Sequence, residues 1–163
     1  MEKFTGKVWL LGDDIDTDII MPTEYLVFKT IDEMKPYAFS PLRPELATQI
    51  QPGDIIVAGS NFGCGSSREQ APEVVKALGL RCVIAKSFAR IFFRNAINNG
   101  LLLIENADLA DFVKEGEEIT VTVNEKIECR GKEFPIVSLP DNLVEIINAG
   151  GLVKAMRKRN GLD

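Results

Sequence analysis

With 163 residues, 45% of them hydrophobic, the chain has the length and apolar content of one domain with a real core. Its 19 basic and 24 acidic side chains leave a net charge of −5 with no polybasic run, which argues against nucleic acid as the main partner and for small-molecule or protein ligands. Histidine is absent, so serine–histidine hydrolysis, histidine-ligated metals and imidazole acid–base chemistry must come from elsewhere if they are needed at all.

The opening residues Met1-Glu2-Lys3-Phe4-Thr5-Gly6 lack the apolar core of a signal peptide, and nowhere do eighteen apolar residues run together. A soluble, cytoplasmic protein without membrane association is expected. Cys64, Cys82 and Cys129 are odd in number and far apart, which indicates neither a disulfide framework nor a zinc site, and no metal site is expected in this chain.

In chain order, Lys7-Val8-Trp9-Leu10-Leu11 reads as a first strand. It runs into an acidic loop holding Asp13, Asp14, Asp16 and Asp18, which lacks the glycine and the twelfth-position glutamate of a calcium loop. Either a solvated turn or an acid that holds a basic side chain, Asp16 or Asp18, accounts for it. Residues 22 to 44 carry Pro22, Pro36, Pro41 and Pro44 among aromatics and charges. They read as a mobile excursion with one short helix near Ile31–Lys35.

Gln51-Pro52-Gly53-Asp54 turns the chain into a second strand, Ile55-Ile56-Val57-Ala58. This strand ends in Gly59-Ser60-Asn61-Phe62-Gly63-Cys64-Gly65-Ser66-Ser67-Arg68-Glu69. Gly63 and Gly65 permit backbone conformations closed to other residues and let amide hydrogens converge on an anion, and Arg68 adds a fork suited to a carboxylate or phosphate. No Gly-Lys-Ser/Thr follows, so this is not a phosphate loop. The bland alternative is a glycine-rich turn with a serine cap. Ser66-x-x-Glu69 and Ser67-x-x-Gln70 resemble capping boxes, but Pro72 would sit too deep in a helix opening at either serine. The regular helix is therefore expected from about Gln70 to Leu78, leaving Ser66, Ser67 and Arg68 on the loop.

Cys82–Ala85 follows as a third strand, then a helix capped by Ser87 that stops at Asn99-Gly100, then a fourth strand over Leu101–Ile104. Short apolar runs alternating with helices imply a buried parallel sheet with crossover helices. From Ile119 the pattern changes to alternation, with turns at Asn124-Glu125-Lys126 and Gly131-Lys132, which is an antiparallel meander through Phe134–Val137. A short helix over Leu143–Asn148, a Gly150-Gly151 break and a basic, solvated tail over Lys154–Arg159 complete the chain.

Three stretches together carry a resemblance: Asp14-Ile15-Asp16-Thr17-Asp18-Ile19-Ile20-Met21-Pro22, the glycine loop from Gly59 to Glu69, and Lys86-Ser87-Phe88-Ala89-Arg90-Ile91-Phe92 with Asn95 and Asn98-Asn99-Gly100-Leu101-Leu102. Over nearly its whole length the chain resembles the small-subunit family of 3-isopropylmalate dehydratase, itself similar to the swivelling C-terminal domain of aconitase. The resemblance implies a single α/β domain over residues 1–163, a three-layer β/β/α swivelling domain with a central parallel sheet, crossover helices and a smaller antiparallel meander. It also implies that Ser66 is the base, that Ser67 and Arg68 bind the substrate carboxylate, supported by Gly63 and Gly65, and that Asp18 is an acidic residue of the active site. Further implied are a large-subunit partner carrying a 4Fe-4S cluster, with none bound by this chain, and a hydroxy-dicarboxylate substrate.

Relatives that take an additional carboxylate carry an arginine about where Val27 stands, so Tyr25-Leu26-Val27-Phe28-Lys29 is expected to read the substrate side chain through Val27, Phe28 and Lys29. Two alternatives stay open, namely the small subunit of homoaconitase or another malate-type dehydratase, and an anion- or RNA-binding module. Homo-oligomerisation in isolation also stays open.

Overall fold

The computed structural model describes residues 2–161; the outer ends of the expected 1–163 domain, Met1, Leu162 and Asp163, lie outside them. Among the described residues seven strands form one mixed sheet: β1 (Lys3–Leu10), β2 (Ile55–Ala58), β3 (Cys82–Ala85), β4 (Leu103–Glu105), β5 (Glu118–Thr122), β6 (Lys126–Cys129) and β7 (Lys132–Pro135), in the order β4-β3-β2-β1-β5-β6-β7. β1 to β4 are parallel to one another, and β5 to β7 form the antiparallel meander.

The two parts meet on β1. Its first half, Lys3 to Lys7, pairs antiparallel with β5, and its second half, Val8 to Leu10, pairs parallel with β2. The strand thus begins four residues earlier than the expected start at Lys7, because Lys3–Gly6 is held by pairing with β5. Gly6 sits at the changeover, where an added Cβ would lie 2.5 Å from the Gly53 carbonyl oxygen; only glycine allows that approach.

Side chains alternate along the central strands and fill two cores. Ile56, Ala58, Val83 and Ala85 face one side, against α4 (Gln70–Ala77) and α5 (Arg90–Asn98), through Ala71, Val74, Val75, Phe92 and Ile97. Ile55, Val57, Cys82 and Ile84 face the other, where Ile119, Val121, Ile127 and Phe134 of the curled meander cover them together with Leu109 of α6 (Leu109–Phe112). Helices, parallel sheet and meander are thus the three layers of a β/β/α sandwich.

The connection from β1 to β2 is not a loose excursion. It carries α1 (Thr17–Ile20), a 3-10 turn over Thr23–Val27, α2 (Ile31–Met34) and α3 (Leu46–Gln49), and it buries Met34, Ala38, Phe39 and Leu46 in the first core. Its prolines punctuate short helical turns instead of freeing the backbone. The chain ends in α7 (Asp141–Ala149) and α8 (Leu152–Arg159), separated by Gly150 and Gly151 at positive φ. The expected solvated tail is therefore a helix, anchored by buried Ala155.

Candidate active site

The site forms where β1 and β2 release their chains side by side at their carboxyl ends, the usual place for ligands on an open parallel sheet. The acidic loop after β1 ties itself to the glycine loop after β2 residue by residue. Asp13 Oδ1 accepts from the Ser60 amide at 2.7 Å, and Asp14 Oδ1 accepts from the Asn61 side-chain amide at 3.1 Å. Asp16 caps α1 by accepting from the Ile19 amide at 2.9 Å. Gly59 has no alternative here, since a Cβ would fall on the Asp13 carboxylate.

Thr17 grips the glycine loop from beneath. Its amide donates to the Cys64 carbonyl at 2.8 Å and its hydroxyl to the Ser66 carbonyl at 2.7 Å, so both flanks of Gly65 are pinned. Gly63 takes φ +85° with the Phe92 ring packed where a Cβ would stand, and Gly65 takes φ +93°. The Gly63 amide is turned inward to the Ile15 carbonyl at 2.7 Å, which ties the glycine loop to the segment after β1.

α4 opens at Gln70 with Glu69 before it and no side-chain cap, so neither Ser66 nor Ser67 spends its hydroxyl on the helix. Both are exposed, and with Arg68 and the two glycines they line a cleft of about 290 Å³. The opposite wall comes from the start of α5 and the turn before it: Ala89, Arg90, Ile91, Phe92 and Asn95. Ser87 is not the cap of α5; Ala89 stands at that position, and the Ser87 hydroxyl instead accepts from the Asn61 amide at 2.8 Å, fastening the two walls together.

Arg68 is largely shielded and bound on one side to the segment after β1. Nη1 donates to Asp18 Oδ1 at 3.3 Å and to the Met21 carbonyl at 3.0 Å, and Nη2 donates to Thr23 Oγ1 at 2.8 Å. Asp18 is thus an acid holding a basic side chain. Hydrogen bonds from the Thr23 hydroxyl and amide, and then the Arg68 charge, hold its carboxyl below the usual carboxylate range. It is an acceptor at neutral pH.

Val27, Phe28 and Lys29 are not among the cleft's lining residues. The rings of Tyr25 and Phe28 stack on Tyr37 at 4.2 and 5.6 Å, which anchors the 3-10 turn and leaves Val27 80% exposed at its tip. What sequence reasoning missed as site residues are Thr17, Thr23 and the α5 wall. The wall lay within the third resembling stretch, but nothing local showed that it would face Ser66.

Cys82 and Cys129 are buried on β3 and β6, and Cys64 is half-buried in the glycine loop. Burial pushes the Cys82 thiol up to about 12, far from the thiolate a metal requires. Among the described residues no three histidine, cysteine, aspartate or glutamate side chains come together as a metal site, and no helix is long and apolar enough to cross a membrane.

A β/β/α sandwich with an arginine and two serines on the open turn between β2 and α4 is a domain of aconitase type, and the model of the Aconitase C-terminal domain family matches residues 22–109. The chain is 80% identical to the 3-isopropylmalate dehydratase small subunit of Lachnospira eligens over 99% of both chains. It is 45% identical to the isopropylmalate/citramalate isomerase small subunit of Methanocaldococcus jannaschii over 94% of both. The crystal structure of 3-isopropylmalate dehydratase from M. jannaschii superposes with a TM-score of 0.93 at 39% identity, covering 99% of this chain and 97% of that one. The chain belongs to the family of 3-isopropylmalate dehydratase small subunits.

Proposed function

We propose that this chain is the small subunit of a two-subunit hydro-lyase that interconverts 2-isopropylmalate and 3-isopropylmalate through isopropylmaleate, a step of leucine biosynthesis, and that it acts in the cytoplasm as one domain over residues 1–163. Ser66 Oγ takes the proton from the carbon next to a substrate carboxylate. The C–H electron pair becomes the new C=C bond as hydroxide leaves the neighbouring carbon. Water then returns with the opposite regiochemistry, and Ser66 gives the proton back.

A serine is a weak base at its ordinary pKa, so the alkoxide needs a field that favours it. Arg68 supplies a fixed positive charge two residues further along the same turn, and Ser67 and Arg68 hold the carboxylate in place for the proton transfer. The observation that carries this reading is the joint placement of Ser66, Ser67 and Arg68 on one exposed turn, free of any capping duty, with Gly63 and Gly65 shaping the backbone beneath them.

The family resemblance implies a 4Fe-4S cluster, and among the described residues the three cysteines, on separate elements, do not fit one. We assign the cluster to the large subunit, where it would supply Lewis-acid chemistry. This chain accounts for the proton and the carboxylate. Purified alone it is expected to be inactive, and mixing it with the large subunit without oxygen is expected to produce isopropylmalate turnover. Turnover by this chain alone would refute the two-subunit assignment.

A second substrate is favoured by the name of the M. jannaschii relative, which includes citramalate. Citramalate carries a methyl where isopropylmalate carries an isopropyl group, and both are apolar like Val27. Homocitrate-like acids would need a cation at that point, and Lys29 is the nearest in sequence. Rates on the three acids with the assembled pair separate these readings.

A further inference from the structure

Arg68 is held more closely than an arginine on an exposed turn needs to be for charge alone. Its Nη1 meets Asp18 Oδ1 and the Met21 carbonyl, and its Nη2 meets Thr23 Oγ1. Thr23 is bonded to the same carboxylate oxygen twice, by its hydroxyl at 3.0 Å and by its backbone amide at 3.2 Å. A threonine hydroxyl has one proton. Here the ionised Asp18 takes it, which leaves the oxygen's lone pairs for Arg68 Nη2.

Asp18 Oδ1 and Thr23 Oγ1 therefore stand side by side as two acceptors across the Nη1/Nη2 end of the guanidinium. Two adjacent oxygens on a guanidinium fork are the arrangement a carboxylate makes when it binds an arginine bidentately. With that end filled, the planar group keeps one other forked edge, formed by Nε–H and the second N–H of Nη2. Among the described residues Nε has no acceptor.

We propose that Thr23 is a positioning residue: with Asp18 it fills the Nη1/Nη2 end of Arg68 and so presents the Nε/Nη2 edge to the substrate carboxylate. The inference rests on the reading of Arg68 as the carboxylate binder. It also explains why a threonine serves where a second acid would not. A second carboxylate would neutralise Arg68 and oppose an anionic substrate, whereas a hydroxyl supplies the acceptor without the charge. Asp18 alone could not span both nitrogens through the single oxygen it offers. Thr23 also opens the 3-10 turn that ends at Val27, so the carboxylate site and the exposed turn share one residue.

The test uses the assembled two-subunit enzyme with Thr23→Val, which keeps the shape and the backbone amide, Thr23→Ser, which keeps the hydroxyl, Arg68→Lys, and the Thr23→Val/Arg68→Lys pair. Thr23→Val is expected to raise KM for isopropylmalate about tenfold with kcat within about twofold, and Thr23→Ser to return KM to within about twofold of the parent. In the Arg68→Lys background the same valine is expected to change KM less than about twofold, because the end it served is gone. Thr23→Ala repeats the comparison without β-branched bulk. An unchanged KM in both Thr23→Val and Thr23→Ala, or an equal factor in the parent and lysine backgrounds, overturns the proposal. Arg68→Lys with undiminished kcat/KM would instead overturn the assignment of Arg68 itself.

Discussion

β1 and β2 hand the chain at their carboxyl ends to loops that reach across to each other, whereas β5, β6 and β7 are joined by short turns of three and two residues, fastened to neighbouring segments by the side chains of Asn124 and Arg130. Both regions use positive-φ backbone, but to different ends. Gly131 closes a two-residue hairpin with Arg130, also at positive φ, and a Cβ there would meet nothing within 4 Å. Gly63 turns with the Phe92 ring filling the space of its missing side chain. In the meander glycine only lets the chain reverse; in the glycine loop it also lets a helix wall come close enough to make a cleft.

The largest effect that breaks this comparison is expected from Gly63→Ala. A side chain there meets both a positive φ and a packed ring, and the loss of stability is expected to be about 3 kcal/mol, combining overpacking with backbone strain. Thermal melting of the isolated subunit checks it. Arg68→Lys comes next, since an ammonium cannot reproduce the fork. kcat/KM of the assembled enzyme is expected to fall about thirtyfold, or about 2 kcal/mol, with a smaller loss of stability from the weakened contacts to Asp18, Met21 and Thr23.

Val27→Arg is expected to shift the ratio of kcat/KM for isopropylmalate against a homocitrate-like acid by about tenfold toward the acid, because the added guanidinium offers the extra carboxylate a charge-assisted pair that valine cannot. Val27 is 80% exposed, so the fold should not respond. An unchanged ratio would show that this turn does not read the substrate side chain. Gly131→Ala closes the series at about 1 kcal/mol of stability with no change in activity. A loss as large as that of Gly63→Ala would erase the distinction between the two regions.

What was legible in the sequence follows the range of the forces involved. The start of α4 at Gln70 could be read because Pro72 forbids an earlier opening, a local steric fact, and that left the serines and Arg68 on the turn. The strands β2 and β3 could be read because burial on both faces demands unbroken apolar runs.

Errors arose where a distant partner outbid a local signal. Ser87 looks like a helix cap but is taken by Asn61, 26 residues away. Lys3–Gly6 has little strand character of its own and is held by β5, and α8 hides its single buried anchor, Ala155, among basic residues. The prolines over residues 22 to 44 conceal the buried Ala38 and Phe39 that fasten this segment to the core. Thr17 and Thr23 were invisible for the same reason, since their partners on the glycine loop lie 49 and 45 residues away.

The central claim is that the glycine loop exists to present Ser66 as a base, and it is tested most directly by Ser66→Ala in the assembled two-subunit enzyme. Ser66 is exposed and its carbonyl, not its hydroxyl, makes the bond to Thr17, so the substitution should leave the fold and the melting temperature intact. Single-turnover measurement of proton exchange at the substrate carbon next to the carboxylate is expected to slow by about 10²- to 10⁴-fold, the range typical of a removed general base. Exchange within about threefold of the parent, from a variant that still binds the large subunit, would contradict the assignment.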